Sequence, residues 1–369
     1  MSKEGNRAKR YSNIKYGFAL FSTAYLLILL FLFLKLGLSS GLSQGIAKIT
    51  QNQYLALLIY LAITFLSYAV LDFPFNFYRS FRVEHKFGLS REKPGSWLLD
   101  NVKAGVLSYI ISLIVLSAFY FVLKAFADNW WLAISVIWIF LSLILAKLTP
   151  VVIIPLFFKY RKMEDEGLRQ RIMGLAEKMK VRILDVFEVD FSKKTLKANA
   201  AFVGWGSTRR VILADTLKGK YTQQEIEAIL AHEFAHYRLR HLLKMIMTNS
   251  AVTLVLFFLI FKSAANLLPV FGLDSLSSVA ALPLVFIYFI IFGLITQPLE
   301  NYFIRSMEAN ADRMALEVTQ DKAAFVSMME KLAGQNLADR NPNLLIKLFF
   351  FDHPPIDERI EMAQRYKGA

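Results

Sequence analysis

The sequence contains no cysteine and only five histidines among its 369 residues. The lack of cysteine excludes disulfides, thiolate metal ligands and a cysteine nucleophile. Acidic residues are also scarce, with 29 against 43 Lys and Arg, which gives a net charge of +14. No basic stripe is interleaved with aromatic residues, so we expect no nucleic-acid partner and assign the charge to loops at a membrane surface.

What the chain has in abundance is apolar sequence. Hydrophobic residues make up 56% of it, with 32 Phe and a mean hydropathy of +0.42, as is typical of membrane proteins. A spanning helix needs about 20 mostly apolar residues. The apolar run near the N-terminus is too long for a signal-peptide core and is interpreted as a retained anchor. Six segments meet this length: 17–38, 54–78, 104–125, 130–156, 246–268 and 279–303.

The basic residues alternate between the loops. The N-terminal tail and the 79–103 loop are rich in Lys and Arg, whereas loop 39–53 has only Lys48 and loop 269–278 has none. By the positive-inside rule, both termini and the large 159–245 region are expected in the cytoplasm. The membrane would be the inner (plasma) membrane of a bacterium or the endoplasmic reticulum of a eukaryote.

Region 159–245 differs in kind, because it is charged and its periodicity changes. Helical spacing of apolar residues near 168–179 is followed by three short strand-like runs and then by a capping box at Thr222 and Glu225. This pattern predicts a small α+β domain inserted between membrane helices. We therefore predict two domains. Residues 1–158 form an N-terminal transmembrane domain with four helices, and residues 159–369 form the second domain. The second domain comprises an α+β part (159–245), two spans (246–268 and 279–303) and a helical part (304–369).

Two of the five histidines stand four residues apart, with a glutamate directly after the first. The helix is predicted to run from about residue 223 through His241, so His232 and His236 share one face and can bind one ion. Glu233 lies about 100° around the helix, where it can act on a water at that ion. This is the H-E-x-x-H arrangement of zinc hydrolases.

A third ligand is expected from a carboxylate pair just after the last apolar segment. Glu308 and Asp312 are again four residues apart. A short hairpin between the last two membrane helices would bring them to the same depth as the motif. We predict Glu308 as the ligand and Asp312 as a carboxylate that orients a ligand histidine. Spacing alone also permits the reverse assignment.

Of the remaining histidines, only one is a candidate for a catalytic role. His353 precedes two prolines that fix a turn, where an imidazole can donate to a developing oxyanion. Arg359 is a candidate partner for Asp312. His241 is expected to be a surface residue, and His85 lies in a basic loop with no assigned role.

With these residues in view, the chain resembles the Ste24-type CAAX prenyl proteases of the M48 metallopeptidase family. The likeness covers about residue 50 to the end and includes the motif of His232, the Glu308 stretch and the His353 turn, in the family's order. It implies a mostly α polytopic membrane protein: about six transmembrane helices around a water-filled chamber, with an inserted small α+β zincin-like catalytic domain. Eukaryotic members have seven spans, so this chain resembles a bacterial member.

The resemblance also implies roles for particular residues and one zinc ion per chain. These are zinc ligands His232, His236 and Glu308, the general base Glu233, supporting residues Asp312 and Arg359, His353 as stabiliser of the tetrahedral intermediate, and an edge strand around Asn199 and Ala200 that pairs with the substrate backbone.

We therefore expect an integral membrane zinc metalloendopeptidase that acts on prenylated C-terminal or other membrane-associated peptides, as a monomer in contact with lipid. One alternative is an HtpX-like quality-control protease, which would have two spans before the motif. Another is a transporter or channel with a structural zinc, which would have no need of Glu233.

Overall fold

The computed structural model describes residues 3–126, 128–204 and 209–367, which form fourteen α-helices and four β-strands. The N-terminal part contains α1 (Lys3–Lys35), α2 (Leu38–Ala47), α3 (Gln53–Asn76), α4 (Val83–Lys86), α5 (Pro94–Ala125), α6 (Trp130–Leu148) and α7 (Ile154–Phe157). The middle contains β1 (Tyr160–Lys162), α8 (Glu166–Lys178), β2 (Val186–Val189), β3 (Ala200–Val203), β4 (Arg210–Ala214) and α9 (Gln223–Arg238). The C-terminal part contains α10 (His241–Leu267), α11 (Leu282–Thr319), α12 (Lys322–Asn336), α13 (Leu344–Phe350) and α14 (Ile356–Arg365).

Six helical stretches are long and apolar enough to cross a membrane, which confirms the expected number. They are Gly5–Lys35, Gln53–Lys86, Pro94–Ala125, Trp130–Leu148, His241–Leu267 and Val279–Thr319. Several extend well beyond the predicted apolar segments. The 38 residues of α11 span about 57 Å, roughly twice the hydrocarbon thickness of a bilayer. Its C-terminal half therefore carries Glu308 and Asp312 beyond the apolar part.

The inserted sheet has the strand order β1-β2-β4-β3. β2 and β4 are parallel, and the two outer strands pair antiparallel to them. The three strand-like runs of the sequence are β2, β3 and β4, whereas β1 was not predicted. The first and last strands of this order each have one unpaired side, so β3 offers a free edge.

Two clusters of polar bonds fix the start of α9. The predicted capping box is present, since Thr222 Oγ1 accepts from the Glu225 amide and the Glu225 carboxylate accepts from the Thr222 amide. Glu225, only 2% exposed, also accepts from Ser327 Oγ at 2.6 Å and Lys331 Nζ at 2.7 Å. The helix that carries the histidine motif is thus tied to α12 by the same side chain that caps it.

The helix through the motif is broken, contrary to the prediction that it continues through His241. α9 ends at Arg238, and Arg240 adopts a left-handed conformation with φ 54° and ψ 38° before α10 begins. One left-handed residue is enough to redirect a helix axis, and a non-glycine residue there is uncommon. The turn changes which side chains face the motif.

Candidate metal centre

The motif histidines and Glu308 converge where α9 packs along α11. His232 Nε2 lies 3.1 Å from His236 Nε2 and 3.1 Å from Glu308 Oε2. His236 Nε2 lies 3.2 Å from Glu308 Oε1. His232 and Glu308 are buried, at 7% and 5% exposed, and His236 is partly buried. Two helices far apart in sequence thus bring two imidazole nitrogens and a carboxylate to one point.

These atoms fit a tetrahedral zinc ion. Bonds of about 2.0–2.1 Å at tetrahedral angles place ligand atoms about 3.3 Å apart, close to the separations found here. The buried Glu308 Oε2 receives no hydrogen bond from the described residues, although His232 Nε2 lies 3.1 Å away. Two lone pairs that face each other at this distance repel, and either a zinc ion or a proton between them removes the repulsion.

Asp312 and Arg359 orient the first histidine. His232 Nδ1 donates to Asp312 Oδ1 at 2.8 Å, so its Nε2 carries the lone pair that faces Glu308. Asp312 is fully buried and accepts from Arg359 Nε at 2.7 Å and from an Arg359 terminal nitrogen at 2.5 Å. The structure thus contains the Asp312–Arg359 pair that the sequence suggested. It also separates the two carboxylates, because Glu308 meets the Nε2 atoms and Asp312 meets Nδ1.

His241 was expected at the surface, and that expectation is wrong. It is 1% exposed, and its Nδ1 lies 2.9 Å from Nδ1 of His236. In an unbroken helix the two residues would lie about 140° apart. The turn at Arg240 removes that separation. The only sequence signal for this contact is a third histidine five residues beyond the motif.

Burial and neighbouring charges shift the pKa values of the motif residues in different directions. Burial acts to lower the pKa of His232, but the Asp312 and Glu308 carboxylates overcome it and raise the pKa to about 9. Burial and the neighbouring His232 lower the pKa of His236 to about 4. Burial also raises the pKa of Glu233, although the nearby His232 opposes the shift. A carboxylate with a raised pKa is a better proton acceptor near neutral pH.

His353 lies next to the same centre. Its Nε2 is 3.3 Å from Glu308 Oε2, and its Nδ1 is 2.8 Å from Asp352 Oδ1. Burial lowers the pKa of His353, but the hydrogen bond to Asp352 and the charge of Glu308 raise it overall. The raised pKa favours the protonated imidazole, which is the form that donates hydrogen bonds from both nitrogens.

The free edge of the sheet borders the motif. The Phe202 ring packs on the Phe234 ring of α9 with centroids 5.3 Å apart, and the Phe202 backbone lies near enough to the Glu233 carboxylate to act on its pKa. The Asn199 carbonyl accepts from the Ala214 amide at 3.0 Å. Because antiparallel pairs alternate, the backbone groups of Ala200 point away from β4 while those of Asn199 are engaged.

Two family models together match almost the whole chain. The model described as CAAX prenyl protease N-terminal, five membrane helices, matches residues 2–159. The model of peptidase family M48 matches residues 162–367 and contains every residue of the centre described above.

Individual relatives agree with these matches. The chain is 28% identical over 366 residues to the metalloprotease YhfN of Bacillus subtilis, which covers 98% of this chain and 86% of that protein. It is 28% identical to the CAAX prenyl protease 1 homolog of Arabidopsis thaliana, over 84% of this chain and 74% of the relative. The human CAAX prenyl protease 1 homolog is 25% identical, over 87% and 75% of the two chains.

The fold is also that of a solved structure. The crystal structure of S. mikatae Ste24p superimposes with a TM-score of 0.89 at 23% identity and covers 99% of this chain and 89% of that one. Four candidate spans precede the motif, which does not favour the HtpX-like alternative, and neither relatives nor fold favour a transporter. The chain belongs to peptidase family M48 and is an integral membrane zinc metalloprotease.

Proposed function

We propose that one zinc ion per chain binds to His232, His236 and Glu308, and that Glu233 is the general base for peptide hydrolysis. The observation that carries this proposal is the convergence of two Nε2 atoms and the Glu308 carboxylate within 3.1–3.2 Å of one another. Glu233 follows a ligand directly on the same helix, which is the place a base needs.

Zinc held by these ligands would lower the pKa of a bound water to about 7 and polarise the substrate carbonyl. Glu233 takes the proton of the attacking water and delivers it to the leaving amine. Its burial supports this role, because a carboxylate with a raised pKa both accepts and returns a proton near neutral pH. Asp312, held by Arg359, keeps His232 in the tautomer with a free Nε2.

His353 is proposed to donate a hydrogen bond to the oxyanion of the tetrahedral intermediate. Its Nε2 lies 3.3 Å from Glu308 Oε2, and Asp352 keeps its Nδ1 protonated. Such a donor acts only on charge that develops in the transition state, so it should affect kcat more than KM.

The substrate backbone is proposed to pair with the free edge of β3. Ala200 is central to this pairing, because its amide and carbonyl face away from β4. An extended peptide added there would pass directly beside Glu233, which lies near the Phe202 backbone. Asn199, also proposed for this surface, would contribute its side chain rather than its carbonyl.

The substrates are proposed to be prenylated C-terminal peptides or other membrane-associated peptides. The plant and human relatives carry the name CAAX prenyl protease 1 homolog, which supports the first class. Polar residues of the last two spans, including Asn249 and Gln297, are exposed rather than packed in a core, which supports a water-filled chamber between the helices. We further propose a monomer with both termini and the catalytic domain in the cytoplasm, in the inner membrane of a bacterium or the endoplasmic reticulum of a eukaryote.

The test compares wild type with Glu233→Gln in detergent, using prenylated and unprenylated forms of one peptide, with zinc measured on both proteins. The matched control is Glu227→Gln, on the same helix, where the carboxylate pairs with Arg171 instead. We expect about one zinc on each protein and a loss of about 10³-fold or more in kcat for Glu233→Gln only.

Two results would contradict the proposal. Cleavage by Glu233→Gln at the wild-type rate would remove Glu233 as the base. His236→Ala and Glu308→Ala variants that each retain the zinc content of wild type would exclude this ligand set. Equal cleavage rates on the prenylated and unprenylated peptides would agree with the proposed protease activity and would exclude a requirement for the prenyl group.

A further inference from the structure

The helix before His353 is held only in part by burial. α13 has only seven residues and no buried side chain, and Leu344 and Leu345 are each 68% exposed. Isolated helices of this length are unstable in water. Asn343 caps its N-terminus through a bond from the Ile346 amide at 2.9 Å. At its C-terminal end, from which the chain leads to His353, the Tyr16 ring packs on Phe350 and Phe351, and polar bonds add a second anchor.

Two buried side chains of α11 bind that end. Arg305, 8% exposed, donates from one terminal nitrogen to the Lys347 carbonyl at 3.0 Å and to the Phe351 carbonyl at 2.6 Å. Asn301, 7% exposed, donates to the Leu348 carbonyl at 2.9 Å. Helix C-terminal carbonyls lack partners within the helix and attract positive charge. Arg305 donates both bonds to backbone carbonyls, so its positive charge stabilises the C-terminal end of α13.

These anchors share a face with the centre. Positions 301, 305, 308 and 312 are three or four residues apart, so one side of α11 carries them all. Arg305 binds Phe351, two residues before His353, and Asp312 binds Arg359, six residues after it. The ligand candidate Glu308 stands between these two attachments. The turn with His353 is therefore bound to α11 on both sides, before it through Arg305 and after it through Asp312.

We propose that Arg305, assisted by Asn301, is a positioning residue that holds His353 against the reaction centre. The inference rests on the proposed role of His353. Arg305 touches neither Glu308 nor the motif histidines in any bond of the described structure; it acts through the backbone of Phe351. Loss of this bond frees the start of the turn, while Arg359 still holds its far side.

The expected effect is catalytic rather than structural. Displacement of a catalytic group by about 1 Å can cost about 100-fold in rate. Loss of an oxyanion donor costs about 10²–10³-fold in kcat, which bounds the effect from above. Arg305→Met should therefore lower kcat by about 10–100-fold, with KM and zinc content unchanged.

A double-mutant cycle separates positioning from other roles. The four proteins are wild type, Arg305→Met, His353→Ala and the double variant, each assayed for kcat, KM and bound zinc. Arg313→Met is the matched control, because Arg313 is an exposed arginine on the same helix. We expect Arg305→Met to be nearly silent in the His353→Ala background. Equal losses in both backgrounds, or no loss in the first, would overturn the proposal.

A distance measurement tests the placement without activity. The chain has no cysteine, so spin labels on Leu344→Cys and Glu317→Cys attach only at those sites. The distance distribution between α13 and α11 should broaden with Arg305→Met and stay narrow with Arg313→Met. An unchanged distribution would overturn the placement. If wild type cleaves no peptide, the proposed function fails while this measurement still decides the placement.

A second variant allows the test to be made even if Arg305→Met does not fold. If Arg305→Met does not yield folded, zinc-containing protein, Asn301→Ala takes its place in the cycle, because it removes only the bond to Leu348. A kcat loss that disappears in the His353→Ala background supports positioning. Losses that add in both backgrounds, or no loss at all, refute it.

Discussion

His241 offers the sharpest test of the geometry around the zinc site. It is 1% exposed, and its Nδ1 lies 2.9 Å from Nδ1 of His236. His241→Leu keeps similar volume but removes the acceptor, which leaves the Nδ1–H of His236 unpaired in a partly buried site. An unsatisfied donor costs about 1–3 kcal/mol. At about 1.4 kcal/mol per tenfold, this predicts zinc binding weaker by about 5–150-fold.

This range agrees with the loss of about 10–100-fold in affinity that follows removal of a group that orients a metal ligand. The assay is the zinc dissociation constant of purified protein, measured by competition with chelators of graded strength. His85→Leu is the matched control, because it removes an imidazole that is hydrogen-bonded to the Phe81 and Glu92 carbonyls and plays no part in the centre. His241→Asn, which restores an acceptor, should recover part of the affinity.

The reasoning would be refuted by a His241→Leu protein whose zinc affinity lies within about twofold of wild type. It would also be refuted if His85→Leu weakened zinc binding equally, since the effect would then be general destabilisation. Excess zinc should restore much of the hydrolysis by His241→Leu, because the substitution affects binding of the ion rather than the base.

Three further substitutions have defined outcomes. Asp312→Asn should weaken zinc binding about 10–100-fold and lower the melting temperature, because it leaves the buried charge of Arg359 unpaired. Glu225→Gln should cost about 2–3 kcal/mol of unfolding free energy near neutral pH, whereas Glu227→Gln, at an exposed pair, should cost about 1 kcal/mol or less. Ala200→Pro, which removes an outward-facing amide at a sheet edge, should raise KM with zinc content unchanged.

The Glu225 prediction has a definite pH dependence. Burial acts to raise the pKa of Glu225, but the bonds from Lys331 and Ser327 outweigh it and lower the pKa below its usual value of 4.5. The stabilisation is therefore fully present above that value and is lost as the pH falls through the lower folded pKa. Thermal unfolding of wild type and Glu225→Gln should converge in acid; a difference that grows there would contradict the assignment.

The predictions for Asp312→Asn and Ala200→Pro can also be refuted. Wild-type zinc affinity in Asp312→Asn would show that His232 does not depend on this carboxylate for its tautomer. An unchanged KM in Ala200→Pro would exclude this residue from backbone pairing with the substrate. A melting temperature far below wild type in Ala200→Pro would instead show that the Ala200 amide serves the sheet itself.

Features set by local pattern were predictable from the sequence. Apolar length is a property of each segment alone, so the six spans followed from hydropathy. The capping box at Thr222 and the shared face of His232 and His236 follow from helix geometry over a few residues. The strands β2, β3 and β4 followed from composition and turn residues, whereas three-residue β1 was too short to leave a pattern.

Features that join distant parts of the chain were predictable only in part. Spacing allowed either Glu308 or Asp312 to reach the zinc ligands, and only the packing of α11 against α9 separates them. The left-handed turn at Arg240 depends on where α10 must run, so the sequence alone suggested an unbroken helix and an exposed His241.

The sequence by itself therefore determined the membrane class, the spans and the residue types of the candidate metal site, because each depends on periodicity or composition within one segment. The tertiary structure alone decided that Asp312 contacts His232 rather than His236, that His241 meets His236, and that Arg305 binds the turn before His353. Orientation depends on contacts between helices up to 80 residues apart, and no local pattern encodes the direction in which such helices pack.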